Sequence, residues 1–182
     1  MQVDRTSLHD VLLIKPTVHG DARGYFLESF NQREFATAIA ADAQFVQDNQ
    51  SRSTGGVLRG LHYQIGARAQ GKLVRVLSGE IFDVAVDLRR SSPQFGQWAA
   101  VLLNATEHKQ LWIPKGFAHG FLVLSDSAEV LYKTTDYYSP DDERSIRYDD
   151  PSIGIEWPNG RELSLSSRDA SAGALADAEI FS

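Results

Sequence analysis

The sequence predicts an all-β fold, most simply a double-sheet jelly roll with short helices. Short apolar segments recur along the 182 residues, separated by turn residues at a spacing of about 8–12 residues. This spacing is typical of β-sandwiches and β-barrels, and helical patterns are too few for a parallel α/β sheet. A jelly roll protects most of its strand edges and leaves an open mouth where a ligand can bind.

The clearest predicted strand is Ile81–Leu88, which alternates strictly. Phe82 and Val84 lie on one of its faces, whereas Asp83 and Ala85 lie on the other. Asp83 has apolar neighbours and therefore needs solvent or a partner such as a histidine. The other predicted strands are Val11–Lys15, Gly24–Phe30, Phe45–Ser51, Val57–Gln64, Lys72–Ser78, Gln97–Leu103, Gln110–Ile113, Gly120–Leu124 and Glu129–Asp136.

Two segments are predicted to be helical. Asn31 is suited to cap a helix because Glu34 follows three residues later. Phe35 and Ile39 then lie on one apolar stripe of this helix. A second, weaker helical pattern lies within Ala170–Ile180.

Composition indicates one globular domain spanning residues 1–182, since neither a linker nor a repeat divides the chain. The 18 basic residues are outnumbered by 24 acidic ones, and the net charge of −6 is not typical of nucleic-acid-binding proteins. The absence of cysteine excludes disulfides and thiolate nucleophiles. Neither a membrane-length apolar run nor an export signal is visible, so we expect a cytoplasmic protein with no membrane partner.

Two of the five histidines lie in patterns that suggest chemistry. Pro114-x-Gly116-x-x-His119 resembles the second short motif of the cupins, a superfamily of jelly rolls also called double-stranded β-helices. Metal-binding cupins carry a His-x-His pair followed by a glutamate, whereas the corresponding pair here reads His62-x-Gln64. Because the second histidine is missing, we expect no metal site, which leaves His62 free for acid–base chemistry.

The orientation of several candidate side chains stays open at this point. Strict alternation points His62 and Arg59 to opposite faces of their strand, unless Gly60 hosts a bulge that redirects one of them. Lys72 begins a strand of valines, where it either meets a ligand or extends to solvent. Tyr132 is either a packing residue or an acid that faces a histidine across a cavity.

Longer motifs extend along nearly the whole chain, from about Val11 to Asp169. They are Asp21-x-Arg23-Gly24-x-Phe26-x-Glu28, Phe45-Val46-Gln47-Asp48-Asn49-Gln50-Ser51, Leu58-Arg59-Gly60-Leu61-His62-Tyr63-Gln64, Lys72-Leu73-Val74-Arg75, Ile113-Pro114-x-Gly116-Phe117-Ala118-His119-Gly120-Phe121, Tyr132-Lys133 and Leu165-Ser166-x-x-Asp169. In this order and spacing they resemble the dTDP-4-dehydrorhamnose 3,5-epimerase family of metal-free cupins. The resemblance implies an isomerase that converts dTDP-4-dehydro-6-deoxy-D-glucose to dTDP-4-dehydro-L-rhamnose through enolates, in dTDP-L-rhamnose biosynthesis.

The resemblance also implies a role for each matching residue. His62 matches the general base, and Asp169 matches the carboxylate that pairs with it. Tyr132 matches the general acid, and Lys72 matches the residue near the keto oxygen of the sugar. Tyr138 matches the aromatic residue that stacks on thymine. The other substrate-contacting positions match Arg23, Glu28, Gln47, Asn49, Arg59, His119, Glu143 and Arg168, the last of which is lysine in many relatives.

The resemblance further implies that the reaction needs no cofactor or metal and that the protein is a homodimer with exchanged N-terminal segments. Two alternative functions remain open on sequence alone. Related enzymes epimerise only one carbon of a dTDP-4-ketosugar or move its ketone, and they share much of the same pattern. A metal-binding cupin without catalytic activity is a third reading, which Gln64 disfavours.

Overall fold

The computed structural model describes residues 1–182 and consists mainly of strands. The strands are β1 (Gln2–Arg5), β2 (Leu12–Lys15), β3 (Val18–Asp21), β4 (Gly24–Leu27), β5 (Gln47–Thr54), β6 (Leu58–Gln64), β7 (Lys72–Ser78), β8 (Glu80–Asp87), β9 (Trp98–Asn104), β10 (Gln110–Ile113), β11 (Phe117–Val123), β12 (Ser127–Thr134) and β13 (Glu143–Ser145). The α-helices are α1 (Gln32–Ala38) and α2 (Ser167–Ala170), and 3-10 turns lie at Gly66–Arg68 and Leu175–Asp177. None of these helices has the length and apolar character needed to cross a membrane.

Two antiparallel sheets face each other, and the predicted all-β jelly roll is confirmed. One sheet has six strands in the order β1-β2-β10-β7-β12-β5, and the other has five in the order β13-β6-β11-β8-β9. Few neighbours in either sheet are consecutive in the chain, as expected for jelly-roll connections. Strands β3 and β4 pair only with each other and form a separate hairpin.

The main core fills the space between the two sheets. Val74 and Leu111 project into it from the six-stranded sheet. Ile81, Ala85 and Phe121 project into it from the five-stranded sheet. These residues are almost completely buried, so the core holds the two sheets together through the hydrophobic effect.

A second core covers the outer face of the five-stranded sheet. Val84 and Val86 of β8 pack there with Leu61 of β6. The C-terminal part of the chain crosses this face, and Phe181 forms a bridge with Arg89 beyond the end of β8. The predicted alternation of β8 is therefore confirmed, with both of its faces buried.

Helix α1 forms where the sequence predicts it. The side chain of Asn31 accepts hydrogen bonds from the backbone N–H groups of Arg33 and Glu34, at 3.1 and 3.3 Å. Phe35 anchors the helix by packing edge-on against Trp112 of β10.

The predicted helix within Ala170–Ile180 is wrong. Helix α2 ends at Ala170, and only a 3-10 turn interrupts the extended chain that follows. Leu175 and Ile180 pack against the outer face of the five-stranded sheet in this extended form. Packing against a sheet therefore overrides the local helical propensity of this alanine-rich segment.

Several short strands escape prediction because they carry no apolar run. Strand β3 is exposed along its whole length and is defined only by its pairing with β4. The predicted strand Gly24–Phe30 ends earlier, at Leu27, and β11 begins at Phe117 rather than at Gly120.

The pairing of β6 with β11 sets the direction of two candidate site residues. Its register shifts between Arg59 and His62, so β6 contains one extra residue at this point. The shift lets Arg59 face the opposite sheet, where its Nε donates to Ser53 Oγ at 3.1 Å. Gly60 has φ of +125°, and a Cβ there would lie 2.5 Å from Gly120 Cα, so the position requires glycine.

We expect Gly60→Ala to lower the free energy of unfolding by at least about 1–3 kcal/mol, because the positive φ strains the backbone and the added Cβ meets Gly120. Gly173→Ala is the matched control, because nothing lies within 4 Å of a Cβ at Gly173. This control should change stability by less than about 0.5 kcal/mol. Urea unfolding followed by circular dichroism measures the free energy of unfolding of both variants. A Gly60→Ala variant as stable as Gly173→Ala would contradict the conformation and packing described for Gly60.

Candidate active site

A polar cavity of about 200 Å³ opens between the two sheets. One wall consists of residues from β5, β7 and β12, and the other consists of residues from β6 and β13. The predicted base, acid and cation share this cavity. The predicted site residues that line it are Gln47, Asn49, His62, Lys72, Tyr132, Tyr138 and Glu143.

His62 pairs with a buried carboxylate, because its Nε2 lies 2.5 Å from Asp169 Oδ1. Ser166, the N-cap of α2, donates its hydroxyl to Asp169 Oδ2 at 2.8 Å. Burial raises the pKa of Asp169, but hydrogen bonds from His62, Ser166 and the Gly60 backbone outweigh burial and lower it below its ordinary value. Asp169 therefore stays ionised at neutral pH and can hold the imidazole in one tautomer.

A second histidine–aspartate pair lies beside the first. His119 of β11 lies opposite His62 of β6, and its Nε2 is 2.5 Å from Asp83 Oδ1. Both side chains are buried, and Asp83 Oδ2 has no hydrogen-bond partner. Burial lowers the pKa of His119, although the charge of Asp83 opposes this shift. The partner that Asp83 needs is thus His119, one of the predicted substrate-contacting residues.

Lys72 lies in the cavity at the start of β7, with its Nζ 3.4 Å from the backbone oxygen of His62. Burial lowers the pKa of Lys72 to about 8, and the carboxylates of Glu143 and Asp83 limit the shift. Of the two orientations left open by the sequence, the one toward the cavity is observed.

Tyr132 approaches from β12, in the sheet that faces His62. It lies opposite Asn49 of β5 and Val74 of β7. Burial raises the pKa of the Tyr132 hydroxyl, although the charge of Arg59 opposes this shift. The hydroxyl is therefore protonated at neutral pH and can act as a proton donor.

Tyr138 stands at the mouth of the cavity, where its side chain is largely exposed. Its hydroxyl donates to Glu143 Oε2 at 2.6 Å, and Arg168 donates to the same oxygen at 2.5 Å. The side chain of Gln47 accepts the backbone N–H of Tyr138 at 3.1 Å and donates to Asn49 at 2.8 Å. An exposed aromatic ring and a guanidinium group therefore lie together at the mouth.

Two predicted site residues lie away from this cavity. Arg23 is in the turn of the β3–β4 hairpin, where its side chain is 90% exposed and pairs with Asp21. Glu28 follows β4 and lines a different cavity, of about 320 Å³, beside α1. The same hairpin exposes Tyr25 and Phe26. A single chain therefore does not bring Arg23 and Glu28 to the cavity that contains His62.

Ser166 contributes to the site in a way that was not predicted. Its hydroxyl accepts the backbone N–H of Asp169 at 3.1 Å as well as donating to the carboxylate. The signal that could have identified it is the Ser-x-x-Asp spacing, which is typical of a helix N-cap. Read in that way, the spacing places Asp169 in the first turn of a helix.

Comparisons with known proteins identify the family to which this fold and sequence are similar. Residues 5–177 match the family model of dTDP-4-dehydrorhamnose 3,5-epimerase. The chain is similar to the dTDP-4-dehydrorhamnose 3,5-epimerases of Shigella flexneri and Pseudomonas aeruginosa, each 56% identical over 181 residues, covering 100% of this chain and 99% of the relative. It is also similar to a dTDP-6-deoxy-D-glucose-3,5-epimerase from Legionella pneumophila, crystallised in complex with dTDP-4-keto-L-rhamnose. That match has 50% identity and a TM-score of 0.95, and it covers 98% of this chain and 94% of the other.

We expect the Lys72 ammonium group to lose its proton near pH 8, because burial disfavours the charged form. The pKa of Lys72 can be measured by NMR titration after reductive methylation with ¹³C-formaldehyde. The Lys72 signal is the one that is absent from the Lys72→Arg variant. Between pH 8 and 10.5 the unfolded chain retains a proton that the folded chain has lost, so Lys72 should make stability rise with pH there. A midpoint near 10.5 would contradict the burial of Nζ.

Proposed function

We propose that this chain, which belongs to the dTDP-4-dehydrorhamnose 3,5-epimerase family, uses the His62 cavity to invert carbons 3 and 5 of dTDP-4-dehydro-6-deoxy-D-glucose. The chain is an enzyme of dTDP-L-rhamnose biosynthesis, and its product is dTDP-4-dehydro-L-rhamnose. One observation carries the assignment of residues. A carboxylate-paired histidine and a protonated tyrosine extend from facing sheets into one cavity that also holds a partly buried lysine.

The chemistry follows from the ketone at carbon 4 of the substrate. The hydrogens on carbons 3 and 5 are both α to this ketone, so each can leave as a proton while the electron pair moves onto the carbonyl oxygen. Lys72 stabilises the resulting enolate, because a fixed positive charge acts more strongly between protein walls than in bulk water. Return of a proton to the opposite face of the ring inverts the carbon.

His62 removes the proton in this proposal. Since Nε2 of His62 faces Asp169, the Nδ1 atom carries the free lone pair and acts as the base. Asp169 stabilises the imidazolium that forms, because it is already ionised in the resting site.

Tyr132 supplies the proton on the other side of the ring. It extends from the six-stranded sheet, whereas His62 extends from the five-stranded sheet, so a sugar between them has one group on each face. A hydroxyl with a raised pKa holds its proton until the enolate carbon accepts it.

The nucleotide half of the substrate binds at the mouth of the cavity. Arg59 and Arg168 offset the charge of the pyrophosphate although the chain as a whole is acidic. The exposed ring of Tyr138 stacks on the thymine base. The remaining residues proposed to contact the substrate from this chain are Gln47, Asn49, His119 and Glu143.

We further propose that the enzyme is a homodimer in which the β3–β4 hairpin of each chain completes the cavity of its partner. Arg23 and Glu28 lie away from the His62 cavity of their own chain, so a second copy is the simplest way to bring them to substrate. The exposed rings of Tyr25 and Phe26 support this proposal, because apolar side chains of this size are commonly covered at interfaces.

We also propose that residues 1–182 form one domain, that the protein is cytoplasmic and that the reaction needs no metal. Single-carbon epimerisation and a non-catalytic metal-binding cupin are the alternatives that substrate exchange in D₂O distinguishes.

With dTDP-4-dehydro-6-deoxy-D-glucose in D₂O and EDTA, the wild-type enzyme should exchange the hydrogens of carbons 3 and 5, seen as loss of both proton NMR signals. His62→Ala should slow this exchange by about 10²–10⁴-fold, because the general base is lost. His9→Ala, which removes an exposed loop histidine, is the matched control.

Each other outcome has a distinct meaning. Exchange at one carbon only would replace the double epimerase with a single-carbon enzyme. No exchange, together with bound iron or manganese in purified protein, would favour the metal-binding cupin. A folded His62→Ala variant with the wild-type exchange rate would remove His62 from the mechanism.

If the hairpin of one chain completes the cavity of its partner, each active site combines His62 of one chain with Arg23 of the other. A heterodimer of Arg23→Ala and His62→Ala chains then has one site in which both residues are intact. Co-refolding the two variants should therefore produce heterodimers with one intact site and about a quarter of the wild-type activity. Each variant refolded alone is the control, and neither should regain epimerase activity. Absence of recovery, or a monomer in light scattering at micromolar concentration, would contradict the shared cavity.

A further inference from the structure

Gln64 is a buried polar residue for which the proposed mechanism has no use. It lies two positions after His62 on β6, lines the cavity and is only 4% exposed. A buried amide is costly unless its hydrogen-bonding groups are satisfied, so its partners indicate what it does.

The amide of Gln64 binds three backbone groups of neighbouring loops. Nε2 donates to the carbonyl oxygens of Arg68 and Tyr137, at 2.7 and 3.2 Å. Oε1 accepts the backbone N–H of Ser139 at 2.9 Å. Gln64 therefore holds the chain immediately before and immediately after Tyr138.

The ring of Tyr138 depends on the polar contacts of its loop for its position. Tyr137 and Tyr138 are 58% and 53% exposed, so neither ring is anchored in the core. The backbone N–H of Tyr138 donates to the side chain of Gln47, its hydroxyl donates to Glu143, and the carboxylate of Asp136 accepts the backbone N–H of Tyr137. A ring that is already ordered binds a flat base with a smaller entropic cost than one that must be ordered on binding.

We propose that Gln64 is a positioning residue that fixes Tyr138 in place for the thymine base, and so sets nucleotide affinity rather than proton transfer. This inference rests on the proposed function, because it takes Tyr138 as the stacking residue. It also gives Gln64 a role of its own at the position where metal-binding cupins carry a histidine.

The first test is the affinity for dTDP measured by calorimetry with Gln64→Met, which preserves side-chain volume and removes all three bonds. We expect Kd for dTDP to rise by about tenfold, the effect of losing hydrogen bonds of ordinary strength. The kcat for epimerisation should change by less than about twofold, because His62 and Tyr132 are untouched.

Gln94→Met is the matched control. The amide of Gln94 donates to the carbonyl of Ser7 and accepts the N–H of His9, so it bridges the residues on both sides of Leu8 in the same way. Gln94 does not line the His62 cavity, and this variant should bind dTDP as the wild type does.

A double-mutant cycle then separates positioning from general stabilisation. If Gln64 acts through Tyr138, then Gln64→Met should have no further effect on Kd in a Tyr138→Ala background. The inference would be overturned if the effects of the two substitutions on Kd were additive. It would also be overturned if Gln64→Met left Kd for dTDP unchanged, or lowered kcat by a larger factor than it raised Kd. Should Gln64→Met not fold, Gln64→Asn retains an amide that is too short for these bonds, and the same criteria apply.

The outcome for the wild type distinguishes this inference from the proposed function. If the wild type neither binds dTDP nor exchanges substrate hydrogens, the proposed function fails and this inference fails with it. If the wild type does both and the cycle is additive, only the role of Gln64 is wrong.

Discussion

The close approach of two glycine backbones, Gly60 of β6 and Gly120 of β11, determines how the side chains of β6 enter the cavity. The register shift at this contact gives β6 one extra residue, so Arg59 and His62 both face the opposite sheet. The same pairing sets His119 beside His62. A side chain at either glycine would meet the other strand, so the contact that sets the positions of Arg59, His62 and His119 requires glycine on both strands.

Charge in this molecule is organised locally rather than by its overall balance. The chain has a net charge of −6, yet its cavity holds Lys72 and its mouth holds Arg168. The carboxylates of Glu143 and Asp83 help to keep Lys72 charged against the effect of burial. Acidic and basic groups are therefore interleaved in the cavity, so that the charge of Lys72 has carboxylates nearby although the chain is acidic overall.

Elements with a strong apolar period, such as β8 and α1, were predictable from sequence, because their burial follows directly from spacing. The segment after Ala170 was not, since its conformation depends on a distant sheet face. The direction of Arg59 depended on a backbone irregularity that composition leaves open. The convergence of His62 and Tyr132 came from family motifs, because spacing along a chain does not reveal which strands of two facing sheets enclose one cavity.

The hydrogen bond between His62 and Asp169 joins positions 107 residues apart in the chain. This contact depends on the C-terminal segment, which reaches β6 where the backbone N–H of Leu58 donates to the carbonyl oxygen of Ser164. A chain whose sheets are paired but whose C-terminal segment is not docked lacks this partner for the imidazole. If Asp169 acts as proposed, recovery of enzymatic turnover during refolding reports the docking of this segment, which a spectroscopic measure of β-sheet content does not.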